Sequence, residues 1–371
     1  MGYDAIIVGA GSMGASAADA LARRGKRVLS IDRLTVPHGQ GSHHGRTRMV
    51  RLAYYEHPDY VPLLRRSLEL WNEFNLAAPR PLFLRTGGLY AGAPSGELLT
   101  GSFTSATTHA LSHDRLPALE AARRLPGLAL PDGFEALLEH DAGLAFPEET
   151  VRFLSQRARQ YGATILENVR VLDWHETPEG VAVRTTDGVH EGGMLVVTGG
   201  AWTSALLPPL ARSLRVTRQV LVWFRPTHPR PPGPVWAIED PSLGVLYGFP
   251  PVPNEPGIKA AIHRPGPPCE PATVDRSIHP DDIVPIREGM DRYFPGVAGD
   301  LADACVCLYT NSPDGHFILD RVPGTRKVIV AAGFSGHGFK FVPVIGEILA
   351  DLTEQGETRH PIAFLGADRL R

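Results

Sequence analysis

Residues 4–32 read DAIIVGAGSMGASAADALARRGKRVLSID. The apolar, β-branched run Asp4–Val8 reads as a buried strand, and Gly9, Gly11 and Gly14 follow it as G-x-G-x-x-G. A small-residue helical stretch then runs to Arg24, where Gly25 ends it, and Arg27–Ile31 makes a second strand that closes on Asp32. Glycine spacing alone is a weak signal, because an ordinary strand-to-helix turn also uses glycine. Here the strand before it, the helix after it and the acid 18 residues past Gly14 complete a βαβ dinucleotide-binding unit. Glycines let the backbone approach a pyrophosphate, the helix N-terminus offers unpaired N–H groups, and Asp32 can accept from ribose hydroxyls.

Working outward, apolar residues at Tyr60, Leu63, Leu64, Leu68, Trp71 and Phe74 predict a core helix over 59–74. A second helix is expected from Pro147 to Tyr161, stopped by Gly162, with strands at 163–173 and 181–186. Residues 194–198 form a buried strand running into Gly199-Gly200-Ala201-Trp202, where a parallel sheet places a ligand. The Pro-rich stretches Arg225–Val235 and Pro265–Pro271 read as irregular or polyproline segments. No repeat occurs. The order implies a mixed α/β chain whose domains interleave. A Rossmann-like cofactor domain takes 1–85, 145–215 and 305–371; a mostly antiparallel substrate domain takes 86–144 and 216–304.

Composition narrows the class. The 371 residues are 43% hydrophobic and 21% charged with a formal net charge of -3, so a large core is available and no overall field favours a polyanion. Nucleic acid is therefore not an expected partner. Three cysteines cannot form a disulfide framework and suit a reducing compartment. No run of about 18 apolar residues would span a bilayer, and the N-terminus lacks a basic leader; the expected location is cytoplasmic, with no membrane association. The basic residues include only four lysines, Lys26, Lys259, Lys327 and Lys340. Where arginine serves as the generic cation, a remaining lysine can offer a compact point charge, though chance explains any single one.

Two motifs carry further chemistry. Gly41-Ser42-His43-His44-Gly45-Arg46-Thr47-Arg48, followed by Arg51, gathers two histidines and three arginines in eleven residues of a net-negative chain. It reads either as a solvated basic loop or as the cationic wall of a cleft. Near the end, the strand Val328–Ala332 leads into Gly333-Phe334-Ser335-Gly336-His337-Gly338-Phe339-Lys340 and then helical spacing. That glycine-rich turn suits an anion but lacks P-loop spacing. Cys305 and Cys307 lie at i and i+2 on one strand face, with no second ligand pair to make a metal site; buried structural thiols are the default reading.

The segments GSHHGRTR, Cys307–Thr310 leading into Pro313–Asp320, and AAGFSGHGFKF resemble the monomeric sarcosine oxidase and N-methyltryptophan oxidase family, of the D-amino-acid-oxidase-like flavoproteins. The resemblance spans nearly the whole chain and is weakest in 90–145 and 225–300. It implies an FAD-dependent oxidase of secondary N-methyl amino acids, yielding amino acid, formaldehyde and hydrogen peroxide, with O2 as acceptor and a monomeric state. Residue by residue, it implies FAD tethered through Cys307 and not Cys305. Lys259 would speed reaction with oxygen, and Arg51 and Lys340 would hold the substrate carboxylate. His263 and Tyr247 would face the substrate. Ser42, His43, His44, Thr47 and Arg48 would lie by the flavin, and Gly9, Gly11, Gly14, Asp32, Val171, Trp202, Gly336 and Gly338 would contact the FAD. A positive wall would ease attack by the Cys307 thiolate on the flavin 8α carbon. Arg46 stands where the family often has an acid, and Tyr54–Pro58 replaces a smaller loop, which leaves substrate size open. A bulkier secondary amine acid, such as N-methyltryptophan, pipecolate or a glycated amino acid, remains an alternative. So, from other classes, do an NAD-dependent dehydrogenase and a non-catalytic flavin-binding subunit.

Overall fold

The computed structural model describes residues 2–230, 232–253 and 255–370. The opening unit forms as its pattern requires: strand Tyr3–Val8, helix Ser12–Arg23 and strand Val28–Ile31. Tyr3–Val8 lies between Gly188–Val197 and Val28–Ile31, parallel to both, with Ala5 opposite Met194 on one side and Val28 on the other. Thr164–Leu166 extends the parallel sheet beyond Val28–Ile31, and Val328–Ala332 extends it beyond Gly188–Val197. Strands Val171–Glu176, Val181–Thr185 and Ile318–Arg321 join antiparallel, completing eight strands. Ala5, Ile6 and Ile7 are covered on both faces, which is why this strand reads as an unbroken apolar run rather than an alternating one. One core joins Ala17, Ala18 and Leu21 of the first helix to Ile345, Ile348 and Leu349 of the last, Val342–Gln355. Each of the leucines and isoleucines contributes about 1.5–3 kcal/mol on burial.

The second sheet also has eight strands, ordered Ala298–Asn311, Arg215–Pro226, Ile258–His263, Gly244–Phe249, Val235–Asp240, Gly88–Gly92, Glu135–Glu139 and His113–Pro117. Every neighbouring pair is antiparallel except Val235–Asp240 with Gly88–Gly92. Its two faces are written in period two. Ile258 and Ala260 pack with Val222, Phe224 and Leu246 in a core shared with Ile286 and Met290 of helix Pro280–Tyr293. The intervening residues Lys259, Ala261 and His263 therefore turn to the opposite face, beside Leu221, Trp223, Cys307 and Tyr309. A third, three-stranded sheet pairs Gly143–Ala145 with Arg48–Val50 and Phe83–Arg85.

The core helix expected over 59–74 is a 3-10 turn, Pro58–Tyr60, followed by helix Val61–Ala77. The expected strand 163–173 is broken into Thr164–Leu166 and Val171–Glu176, with Asn168 at φ 61° between them. Of the Pro-rich segment Arg225–Val235, Pro226 ends one strand and Val235 begins the next; Pro231 lies outside the described residues. Pro265–Pro271 runs alongside the sheet, where Arg218 N–H donates to the Pro267 carbonyl at 3.0 Å. No helix among the described residues is long and apolar enough to cross a membrane.

Candidate active site

The inner face of the second sheet meets the C-terminal ends of the parallel strands across a cavity of ≈ 470 Å³. At one end the strand Tyr3–Val8 breaks at Gly9, whose φ of 99° disfavours any side chain. A Cβ on Gly14 would coincide with the Gly9 carbonyl oxygen, so both glycines are needed for the tight turn. Gly9 and Gly11 line the cavity; Gly14 stands behind them. Asp32, at the end of the second strand, accepts from Ala10 N–H at 2.8 Å and Leu34 N–H at 2.9 Å. Burial raises its pKa while the neighbouring His38 resists. Val171, Ser42 and Trp202 complete this end, with the Arg33 guanidinium 5.2 Å from the Trp202 ring centroid.

Three of the residues that line this space carry a buried polar atom with no hydrogen-bond partner among the described residues: His43 Nε2, Trp202 Nε1 and Thr310 Oγ1. Buried polar groups are seldom left unpaired. Unpaired polar groups in the lining, together with a glycine turn and an acid at the end of the second strand, are what a dinucleotide site requires. Ser42, His43, Arg48, Val171, Trp202, Cys307, Gly336 and Gly338 all line it and could hold FAD.

In the middle of the cavity the basic motif folds back on itself. Arg48 donates to the carbonyls of Thr47 at 2.8 Å, Ser42 at 2.9 Å and His44. The His44 ring is fastened to the Val306 carbonyl at 2.9 Å, and burial takes it down to about 4. His43 goes down to about 3 for the same reason, so both imidazoles are neutral at pH 7. Cys307 is fully buried and lines the cavity, whereas Cys305 is half-buried one pleat away. Burial raises both thiols; Arg48 and Lys259 pull Cys307 back down. The positive wall expected to favour the thiolate is thus present, but desolvation outweighs it.

Lys259 sits behind the wall rather than on it. Its ammonium donates to the carbonyls of Gly45 and Thr47, each at 2.6 Å, and lies 4.7 Å and 5.5 Å from the Phe249 and Trp223 ring centroids. Burial, then Arg48, moves its pKa well below the ordinary lysine value. His44 and Thr47 likewise lie outside the lining.

The far end is cationic. Arg51 and Lys340 line the cavity, both buried. Lys340 Nζ donates to the His337 carbonyl at 2.7 Å; burial and then Arg51 bring it down to about 7, against Glu56 and Glu139. His263 and Tyr247 face the same space; burial takes His263 down to about 4 and Tyr247 up to about 12, so both are neutral at pH 7. Sequence reasoning missed four members of this end. Tyr309 bonds His263 Nδ1 at 3.2 Å, Tyr54 bonds the His337 ring, and Glu56 takes Arg51 Nη2 at 2.6 Å. Tyr309 and His337 stood inside quoted motifs, which was a signal of their place; Tyr54 and Glu56 stood in what read only as a loop. The arrangement offers a carboxylate two cations, one of them already paired with Glu56, beside two neutral histidines and tyrosine rings.

Comparison with known proteins places the chain in a family. The family described as DAO, FAD dependent oxidoreductase, matches residues 4–352. The chain is 40% identical to monomeric sarcosine oxidase of Streptomyces avermitilis, covering 99% of this chain and 98% of that one. It is 35% identical to N-methyl-L-tryptophan oxidase of Salmonella enteritidis, covering 95% and 94%. Among solved structures, NikD, an unusual amino acid oxidase essential for nikkomycin biosynthesis, superimposes with a TM-score of 0.86 at 26% identity over 98% of this chain and 97% of that one. Glycine oxidase of Geobacillus kaustophilus, at 23% identity and a TM-score of 0.82 over 98% of each chain, shares the fold.

Proposed function

Because the chain belongs to the DAO family of FAD-dependent oxidoreductases, we propose that its cavity oxidises N-methyl amino acids of the sarcosine type. It is an FAD-dependent oxidase acting on the C–N bond of an amino acid. The net reaction takes an N-methyl amino acid, O2 and water to the amino acid, formaldehyde and hydrogen peroxide. When bound, FAD supplies the two-electron acceptor and its return to the oxidised form by oxygen. The observation that carries the reading is the pair Arg51 and Lys340 lining the same cavity as the dinucleotide cradle. Neither an NAD-dependent dehydrogenase nor a bulkier substrate is favoured.

In this reading the protein's own groups position and exclude. Arg51 and Lys340 hold the carboxylate by charge-assisted hydrogen bonds. His263, Tyr247 and Tyr309 close on the amine end and keep water out, their neutrality leaving the uncharged amine undisturbed. Lys259 provides a compact positive charge for the oxygen half of the cycle. The first sheet with its helices would be the cofactor domain and the second sheet the substrate domain, with strand Ala298–Asn311 carrying the second sheet past residue 304, where the sequence reading ended the substrate domain. The three free cysteines support a reducing, cytoplasmic location, and the names of the relatives support a monomer. The test is anaerobic mixing of the yellow holoenzyme with sarcosine. Absorbance should bleach with sarcosine and stay with sarcosine amide; equal bleaching would replace this reading with a neutral-amine oxidase.

Covalent attachment through Cys307 is supported by its burial in the lining. Acid-precipitated wild-type protein should keep its colour in the pellet, Cys305→Ser likewise, and Cys307→Ser should release it. A colourless wild-type pellet would make the flavin noncovalent.

Lys340 also gives a pH dependence. Its proton is present below about 7 and lost above, so a carboxylate ligand without an amine, methylthioacetate, should bind progressively more weakly as pH rises through that value. The step should vanish in Lys340→Met. A flat wild-type profile between pH 6 and about 9 would remove Lys340 from the carboxylate site.

A further inference from the structure

The guanidinium of Arg51 is held on three sides. The rings of Tyr54 and Tyr55 lie 4.5 Å and 4.8 Å from its Cζ, and Glu56 takes Nη2 with both oxygens, at 2.6 Å and 2.7 Å. Nη1 makes one further bond, to the Ala53 carbonyl at 3.3 Å. Nε and the remaining Nη1 hydrogen have no partner among the described residues. Arg51 and Tyr55 line the cavity; Glu56 does not. The carboxylate therefore grips the guanidinium from outside the lining and occupies neither Nε nor Nη1. Burial opposes the charge on Glu56, but Arg51, His337 and Lys340 bring its pKa down to about 2, so it is ionised throughout the working range. The other nearby acid, Glu139, accepts from Leu52 N–H, Ala53 N–H and the Tyr90 hydroxyl, yet burial pushes its pKa above the ordinary carboxyl value and so disfavours a second negative charge here.

We infer that Glu56 is a specificity-determining residue: by neutralising one of the two cations from behind, it limits the cavity to substrates with a single carboxylate. This rests on the carboxylate-binding reading of Arg51 and Lys340. Arg51 and Lys340 together could neutralise a dianion; with Glu56 ionised beside Arg51 and both flanking histidines, His263 and His337, neutral, one anionic group completes the charge. A second carboxylate would be buried without a counter-ion, which is strongly unfavourable. The substrate class is then N-methyl amino acids with uncharged side chains, and N-methyl derivatives of acidic amino acids are rejected.

The experiment titrates the holoenzyme at about pH 6.5, where Lys340 still keeps most of its proton, following flavin absorbance. The ligands are methylthioacetate and its dicarboxylate counterpart thiodiacetate. Wild type should bind thiodiacetate at least tenfold more weakly. Glu56→Gln, and Glu56→Ser should Gln fold poorly, should shrink that ratio at least fivefold, and Glu56→Asp, which restores the charge, should return it towards wild type. A ratio unchanged in the neutral variants, or near unity in wild type, overturns the assignment to Glu56. Failure of wild type to bind methylthioacetate at all overturns the carboxylate reading, and this inference with it.

Discussion

Lys259→Met slows reoxidation of the reduced enzyme by oxygen about a hundredfold or more, and leaves reduction by substrate within a few-fold. The expectation comes from placement. The ammonium is fully buried, fixed by the Gly45 and Thr47 carbonyls and flanked by Trp223 and Phe249, so its charge needs no reorganisation when an anion forms nearby. Removing one preorganised charge of this kind costs about 3–4 kcal/mol. Because burial lowers the Lys259 pKa, its proton is lost at a lower pH than for an exposed lysine. The wild-type reoxidation rate should therefore fall as pH rises through that value, while Lys259→Met should be slow and flat. Stopped-flow traces in which both half-reactions slow equally would remove Lys259 from the oxygen step.

Arg51→Ala has the second largest effect, a rise in KM of one to two orders of magnitude, since a charge-assisted hydrogen bond contributes about 1.5–3 kcal/mol. It also leaves Glu56, whose side chain is only 14% exposed, with no guanidinium beside it. Breaking such a pair destabilises by about 3–5 kcal/mol, much of it from the stranded charge. The variant should melt at lower temperature than wild type, and Arg51→Ala/Glu56→Gln should recover part of the loss. Unchanged KM with unchanged melting would contradict both roles of Arg51.

What the sequence made legible follows from how local each feature is. The βαβ start depends on residues within one short stretch, and its strand, helix and closing acid form where the pattern places them. The helix at Val61–Ala77 is equally local, its apolar spacing unbroken. Residues 88–139 gave no such reading. Their short strands Gly88–Gly92, His113–Pro117 and Glu135–Glu139 acquire meaning only from pairing with one another and with Val235–Asp240. In the site, Cys305 and Cys307 share a strand face by spacing, but spacing says nothing of depth: both pair with Arg215–Pro226, yet Cys307 is buried and Cys305 half-exposed. Glu56 was invisible for a related reason. Its pairing with Arg51 arises across an irregular loop, where no periodicity links positions five apart. Scarcity of lysine marked four positions alike; only the family resemblance separated Lys259 and Lys340, which are buried with lowered pKa values.

The most direct measurement is the stoichiometry of turnover by purified holoenzyme with sarcosine. The account predicts one formaldehyde, one glycine and one hydrogen peroxide for each O2 consumed. Peroxide formed from glycine or sarcosine amide as readily as from sarcosine, or oxygen uptake with sarcosine that yields no formaldehyde, would contradict it.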